Sequence, residues 1–584
     1  MGARLKQGVT LEQARTDLNT IASRLEEAYP ETNAGHGTSV TLLSERLVRD
    51  VRPALLLLLV AVAFVLLIAC VNVANLLLAG AAGRRQEIAI RSALGASRAR
   101  IVRQVLTESI MLALAGGCLG LLLSFWAVSL FAAAGPGNIP RLREVGVDAR
   151  VLGFKVILSV LTGIVFGLIP AFQTSGADLN DALKGAGRSS TGGTGRKTRS
   201  ALTTAEVAIS LVLLTCAGLL VRSFIGLQRT NPGFDPRHVL TMQLLPPQSK
   251  YAEDDRLVSF YKQLIEKVRG VPGIEDVGMI QALPLEGGWE NTVRVEGQPP
   301  LTSSGENSVT WFIAGPGYFS TMGISLLRGR DFTESDRASS PVVIIDEATA
   351  RRFFGSTEQA LGKRLSVGGR QLEEVVGVVG RVKDNSLTGD PRAAVYEPFA
   401  QKPVRSMSLV IRAASDRASL TAAIRRGVRE LDKELPVFGV QSMEEVIAES
   451  TTRESLTAFV FGLFALVALV LAAVGIYGVT AYMIVERTRE FGIRAALGAL
   501  PTDILKLVFK QALMPVMLGM TVRLGGALVA GRAISGLLYG VSGADPVAIL
   551  SVSALLILVA LLACLLPARR AMRVDPLAAL RHDG

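Results

Sequence analysis

Arg84-Arg85-Gln86-Glu87-Ile88-Ala89-Ile90-Arg91-Ser92-Ala93-Leu94-Gly95-Ala96 returns 403 residues later as Arg487-Thr488-Arg489-Glu490-Phe491-Gly492-Ile493-Arg494-Ala495-Ala496-Leu497-Gly498-Ala499. In both copies a glutamate precedes an arginine by four residues, the favourable order for an ion pair along one helix face. In both, Gly95 or Gly498 follows where a left-handed residue can close a helix. In the second copy Pro501 suits the first turn of a new helix. The spacing predicts a short helix, a break, then a second helix. Apolar blocks flank each copy, which sets the short helix at a membrane surface between two spans.

Composition agrees with that setting. Of 584 residues, 49% are apolar and only 19% charged, where a soluble globular chain carries about 25% charged residues. The deficit gathers in seven apolar blocks. They run from Ala54 to Ala79, Met111 to Ala133, Leu152 to Phe172, Leu202 to Phe224, Ala458 to Val485, Met514 to Leu538 and Val547 to Leu566. Each is long enough to cross a bilayer, since about 20 helical residues span roughly 30 Å. This excludes a soluble enzyme, a disordered chain and a secreted disulfide scaffold. Cys70, Cys118, Cys216 and Cys564 all lie inside the blocks and read as small apolar residues. His36, His238 and His582 are far apart, so no metal chemistry is expected.

Charge orients the spans. Residues 80–110, 173–201, 484–513 and 567–584 hold 20 basic against 9 acidic residues, nearly the whole formal excess of +12. The short loops 134–151 and 539–546 hold 3 of each. The positive-inside rule makes the first set cytoplasmic and leaves the C-terminus inside. The basic balance is a topology signal, and no nucleic-acid partner is expected. Residues 225–455, with 28 basic and 30 acidic residues, fall outside.

The duplication extends beyond the motif. Asp148, Pro170-Ala171, Asp178 and Leu183 match Asp545, Pro567-Ala568, Asp575 and Leu580 at an offset of 397. The first three spans therefore correspond to the last three, as in the pseudo-symmetric halves common in membrane proteins. The fourth span and the large polar domain precede the second set, and their counterparts before the first set are mostly missing. The start of the chain has no signal-peptide pattern, although the first span must begin outside. The expectation is an upstream helix and domain of which 1–52 is the remnant. The organisation read is then 1–52, a first three-helix domain at 53–186, a basic linker at 187–201, a span at 202–224, the external domain at 225–455 and a second three-helix domain at 456–584.

These residues resemble the FtsX-like permease domain shared by MacB-type and lipoprotein-release transporters. The resemblance rests on the repeated run Glu-x-x-Ile-Arg-x-Ala-Leu-Gly-Ala, and on the C-terminal stretch from Pro567-Ala568-Arg569-Arg570 to Asp575-Pro576-Leu577. Gly315-Pro316-Gly317-Tyr318-Phe319, Leu327-Arg328-Gly329-Arg330-Asp331-Phe332, Leu361-Gly362-Lys363-Arg364 and Glu374-Val375-Val376-Gly377-Val378-Val379 are similar to the MacB periplasmic core domain. The two-half layout resembles duplicated permeases that carry no ATPase of their own. The resemblance implies a polytopic α-helical membrane protein of about seven transmembrane helices with an α+β periplasmic domain, in a bacterial inner membrane. It implies a permease subunit of an ABC system that transmits the motion of a separate ATPase to the external domain. Glu87, Arg91 and Gly95, with Glu490, Arg494 and Gly498, would form the ATPase-coupling helices. ATP would act only through that partner, and a periplasmic adaptor or envelope protein is a further expected partner. The alternative is an ATPase-independent membrane sensor or scaffold binding an envelope ligand or protein.

No catalytic residues and no cofactor site are expected in this chain. Gly192-Gly193-Thr194-Gly195-Arg196-Lys197-Thr198 lacks the Gly-Lys-Ser/Thr of a phosphate loop, with Arg196 where glycine is required. It reads as part of the flexible linker. In the external domain Val342 to Ile345 and Val375 to Val379 read as strands, and Leu257 to Val268 and Leu420 to Leu431 as helices. The glycines around Tyr318 and Arg330 read as turn formers, Trp289 and Trp311 as core, and the pairs Asp254-Asp255 and Glu373-Glu374 as solvated faces. Two ionisable residues stand inside spans, Glu206 and Arg523. At Arg523 an unpaired charge costs at least about 2.5–3.5 kcal/mol. Glu206 is read as bonding across helices, and Lys155, Arg222 and Arg532 as reaching for the outer interface. Gly116-Gly117, Gly120, Gly519 and Gly525-Gly526 allow close helix packing.

Overall fold

The computed structural model describes residues 3–29, 37–43, 45, 49, 52–83, 97–134, 149–175, 193–298, 307–337, 340–414, 417–498 and 500–572. The chain divides into two units, 1–52 with 224–456, and 53–223 with 457–584.

In chain order come the helices α1 (Leu11–Ala28), α2 (Arg52–Gly83), α3 (Arg98–Ala134), α4 (Ala149–Ser175) and α5 (Gly193–Gln228). The polar domain follows, with strands β1 (Val239–Leu244), β2 (Ile274–Ile280), β3 (Trp289–Val295), β4 (Ser308–Ala314), β5 (Leu326–Gly329), β6 (Val342–Asp346), β7 (Arg364–Val367), β8 (Leu372–Val379), β9 (Ala394–Pro398), β10 (Met407–Ala413) and β11 (Val437–Ser442). Its helices are α6 (Asp254–Arg269), α7 (Tyr318–Met322), α8 (Glu347–Phe354), α9 (Thr357–Ala360), α10 (Arg417–Leu431) and α11 (Met443–Ser450). Last come α12 (Thr452–Glu486), α13 (Thr488–Ala496), α14 (Pro501–Ile534) and α15 (Pro546–Met572).

Among the described residues six helices are long and apolar enough to cross a membrane, on α2, α3, α5, α12, α14 and α15. The third expected span coincides with α4, a 27-residue helix outside that set of six. Several helices outrun their apolar blocks. The helix α3 begins at Arg98, 13 residues before the block, and α5 begins at Gly193, inside the stretch read as a flexible linker. Hydropathy marks only the turns that meet lipid, while backbone hydrogen bonding carries the helix on through Arg and Lys, good helix formers.

In the membrane unit α3 and α4 form a hairpin. Gly163 lies under Ala113 and Ile110, Gly117 under Ser159, and Lys155 donates to Ser124 Oγ at 2.8 Å rather than reaching outward. The helix α5 has more than half of its apolar window buried, the largest share of the six. Gly519 of α14 meets Val207 and the carbonyl of Thr204, Gly526 meets Val212, and Gly218 meets Val552 of α15. At the far end Arg222 pairs with Asp545, and Ser223 Oγ accepts from the amide of Tyr539. Arg222 is thus a structural ion pair. Of the glycines expected to pack, a Cβ built on Gly116, Gly120 or Gly525 would meet no described atom within 4 Å beyond its own helix.

The polar domain is α+β, in two parts. Strands β11-β1-β10-β2 form an antiparallel sheet covered by α6 and α10. The amphipathic spacing of α6 buries Leu257, Phe260, Tyr261, Leu264 and Val268, with Asp254 and Asp255 at its N-terminus and Lys267 and Arg269 at its C-terminus, matching the helix dipole. The path continues β4-β3-β7-β8-β6-β9, and β9 returns to pair in parallel with β4. Six strands therefore close on themselves, which removes their edges. The two parts join through a single β2–β4 pair, Ile280 with Ala314. One apolar core, including Val277, Ile313, Val343, Val375, Val395 and Ile411, runs through both. The strands read at Val342 and Val375 and the helices read at Leu257 and Leu420 all occur, each slightly longer.

Candidate functional site

The described copy of the repeated motif folds as its spacing predicts. After α12 ends at Glu486, α13 carries Glu490 and Arg494, bonded at 2.7 Å across one turn. Arg487 stands 3.8 Å from Glu490 and donates to Gln511 of α14 at 3.3 Å. Gly498 has φ +92°, the left-handed conformation that closes the motif before Pro501 opens α14. The first copy, with Glu87, Arg91 and Gly95, lies outside the described residues.

What holds α13 in place is Phe491, only 1% exposed. It packs with Ile484 of α12, Ile504 and Val508 of α14, and Ala568 of α15. One aromatic ring thus ties the short helix to the ends of three long ones. The other face is open. Leu497 is 82% exposed, and Ile493 and Leu500 are exposed as well. An exposed apolar rim thus stands beside a neutralised Glu–Arg pair. Phe491 was not singled out in the sequence, although its apolar side chain between Glu490 and Arg494 was the available signal.

Glu206 lies on α5, fully buried. Asn72 of α2 and Gly475 of α12 face it. These two positions are themselves equivalent in the duplication, 403 residues apart, as are Asn75 and Gly478. Two turns along α5, the guanidinium of Arg199 lies 4.0 Å from the centre of the Tyr482 ring on α12, a cation–π contact. Arg523 falls within α14, and its side chain lies outside the described residues.

The external domain holds a buried acidic pair. Glu373 of β8 and Glu397 of β9 are both fully buried, and none of their four oxygens meets a donor. Burial, and then the neighbouring Glu397, push the Glu373 carboxyl up to about 9. The expectation that Glu373-Glu374 forms a solvated face therefore holds for Glu374 and fails for Glu373. Strand alternation sends Glu373 inward beside Val375, and a pair of adjacent acids carries no such information by itself. Asp254 and Asp255 are exposed. Of the two tryptophans, Trp311 is 8% exposed and Trp289 45%, their rings 5.1 Å apart, so one belongs to the core and the other covers it. Gly317, Gly323 and Gly329 take positive φ and set turns as expected. Among the described residues no three His, Cys, Asp or Glu side chains are grouped as metal ligands.

Residues 59–176 and 462–576 match the FtsX-like permease C-terminal domain, and residues 200–427 match the MacB-like periplasmic core domain. The pyoverdine export ATP-binding/permease protein PvdT of Pseudomonas putida is 27% identical over 322 residues, covering 53% of this chain and 48% of that protein. The macrolide export ATP-binding/permease protein MacB of Hahella chejuensis is 27% identical over 285 residues, covering 46% and 42%. The chain thus spans about half the length of these curated relatives. The uncharacterized ABC transporter permease YknZ of Bacillus subtilis is 22% identical over 398 residues, covering 66% of this chain and 96% of that protein. The solved extracellular domain of a YknZ transporter from Gram-positive bacteria superposes with a TM-score of 0.24 at 19% identity, covering 34% of this chain and all of that one.

Proposed function

We propose a function from one premise: the chain belongs to the MacB/FtsX-like permease family. It acts as the permease component of an ABC transport system, and a separate ATP-binding subunit docks on α13 and on its counterpart around Glu87 and Arg91. Force applied at that surface passes through Phe491 into α12, α14 and α15 together. The helix α12 continues from α11 of the external domain with one residue between them, so displacement of the span has a short covalent route outward. The observation that carries this reading is the burial of Phe491 among three long helices, with Ile493, Arg494 and Ala496 of α13 exposed. The chain sits in a bacterial inner membrane with its motif side cytoplasmic, and serves export or envelope work. The names of relatives that export pyoverdine or macrolides describe those proteins and select no substrate here.

The test is co-purification from native membranes in mild detergent, with subunits identified by mass spectrometry. The wild type is expected to bring down an ATP-binding subunit, and Glu87→Arg with Glu490→Arg is expected to lose it. Glu490→Arg sets three arginines along one helix face, where like charges repel. Phe491→Ala is expected to keep the partner while uncoupling it, because truncating a buried phenylalanine costs about 3–5 kcal/mol and loosens α13 from its base. Nucleotide-dependent change in the external domain, read by distance labels, should then vanish. No ATP-binding subunit under conditions that preserve a known transporter complex would sink the reading in favour of a sensor or scaffold.

A further inference from the structure

Asn72 fixes the chemistry around Glu206. Its Nδ2 donates to the carbonyl of Leu471 at 2.9 Å, one turn before Gly475. That bond sets the amide orientation, so Oδ1 is the end left for Glu206. A Cβ built on Gly475 would stand 2.5 Å from each carboxylate oxygen of Glu206, and closer still to Asn72 Oδ1. Three oxygens therefore converge at the surface of α12, and none of them meets a hydrogen-bond donor. An amide oxygen and an ionised carboxylate are both acceptors only. In a dry helix bundle they repel unless a positive species stands between them.

The described side chains nearby do not supply one. Within two turns of Asn72, α2 carries only Cys70 as a titratable group, and α12 carries Tyr477 and Tyr482 around Gly475. Arg199, on α5 itself, lies over the Tyr482 ring. The helix α14, which meets α5 at Gly519, carries Arg523 one turn further on, with its side chain outside the described residues. The helix α15 meets α5 at Gly218, three turns from Glu206, and its titratable group facing inward is Cys564. Buried polar groups continue beside the cluster, since Asn75 and Ser210, one turn from Asn72 and Glu206, are also buried without partners.

We propose that Glu206 holds a proton inside the membrane unit, its carboxyl hydroxyl donating to Asn72 Oδ1, which makes the junction of α2, α5 and α12 a proton-binding site. The two halves contribute differently, the first supplying Asn72 and Asn75 where the second supplies Gly475 and Gly478. The glycine leaves the room that the carboxyl occupies. Uptake of one proton neutralises the carboxylate and lets the three helices close. Its release leaves an anion facing an amide oxygen, which favours opening and entry of water.

Infrared spectroscopy of the full-length protein in lipid reads this carboxyl directly. Subtracting the Glu206→Gln spectrum from the wild type is expected to leave a carboxylic-acid carbonyl band at neutral pH, replaced by carboxylate bands as pH rises. Asn72→Leu removes the acceptor and is expected to move the band to higher frequency. Carboxylate bands alone at neutral pH, as an ion pair with Arg523 would give, overturn the proposal. So does loss of the acid band on adding sodium, which would make the guest a metal cation. If Glu206→Gln does not insert, the wild type minus Asn72→Leu spectrum reads the same carbonyl. A derivative-shaped band supports the proposal, and a flat difference overturns it.

Discussion

Glu373→Gln is expected to stabilise the external domain at pH 8 and to flatten its dependence on pH. The Glu373 carboxyl is raised from the ordinary 4.5 to about 9, first by burial and then by Glu397, against the weaker pull of Lys402 and Arg370. Below pH 4.5 folded and unfolded chains both carry the proton, and its contribution is fully present. Between about 4.5 and about 9 the unfolded chain releases the proton while the folded one keeps it, so stability falls as pH rises, by about 1.4 kcal/mol per unit. Asp346, raised by burial although it accepts from the amides of Thr349 and Ala394, adds a slope of the same sign. On the acid side the sign reverses. Hydrogen bonds from Arg237 hold Asp235 at about 2, so its contribution is present above the ordinary 3.8 and lost as pH drops toward 2. The domain should be most stable near pH 4–5. Glutamine at 373 keeps the shape, can donate to Glu397, and removes the titration of Glu373 itself. Hydrogen exchange at β6, β8 and β9 in the full-length protein across pH 5 to 9 measures this. Equal slopes in variant and wild type would refute it.

The same pair shows where sequence reading reaches its limit. Apolar blocks and a repeated polar motif were enough to read a multi-pass membrane protein, because lipid forces spans to be long and apolar and the motif recurs at a fixed offset. The Glu490–Arg494 bridge and the Gly498 break are local, and local spacing determined them. Glu373 and Glu397 are 24 residues apart and come together only because β6 sits between β8 and β9, a non-local arrangement that no window of sequence contains. Glu206 was legible as a polar residue in a span. Its neighbours Asn72 and Gly475 were legible only by laying one half of the duplication over the other and noticing asparagine opposite glycine. The start of α5 at Gly193 was missed because glycine and threonine there suggest a linker, while the helix is propagated backward from the buried turns that follow.

Gly278→Ala is expected to unseat α7 and cost the external domain about 3 kcal/mol, the upper end of what overpacking does. Gly278 sits in β2 opposite Val410, without positive φ, so alanine suits its backbone. Space is the obstacle. A Cβ there would stand 2.5 Å from Tyr318 Cα and 2.8 Å from its amide nitrogen, backbone atoms that no rotamer change can move. Tyr318, Phe319 and Met322 of α7 are all buried. Phe319 packs edge-on to Tyr396 of β9, ring centres 5.0 Å apart, while Arg412 of β10 donates to the carbonyl of Thr321 at 2.9 Å. The short helix therefore clamps the open four-stranded sheet to the closed six-stranded part, reinforcing the β2–β4 pair and the apolar core that the two share. This explains the Gly-Pro-Gly-Tyr-Phe segment as a structural plug, with Gly317 at φ +80° turning the chain into it. Gly427→Ala in α10 serves as the opposite control. Its Cβ would meet only the Lys267 side chain at 3.8 Å, and alanine in a helix interior should add about 0.5–1 kcal/mol. Denaturant unfolding of the full-length variants, followed by hydrogen exchange, should show protection lost at α7 and β2 in the first and preserved in the second. If Gly278→Ala unfolds with the wild-type midpoint, the clamp is not what joins the two parts, and force arriving through α12 would have to cross the domain by another route.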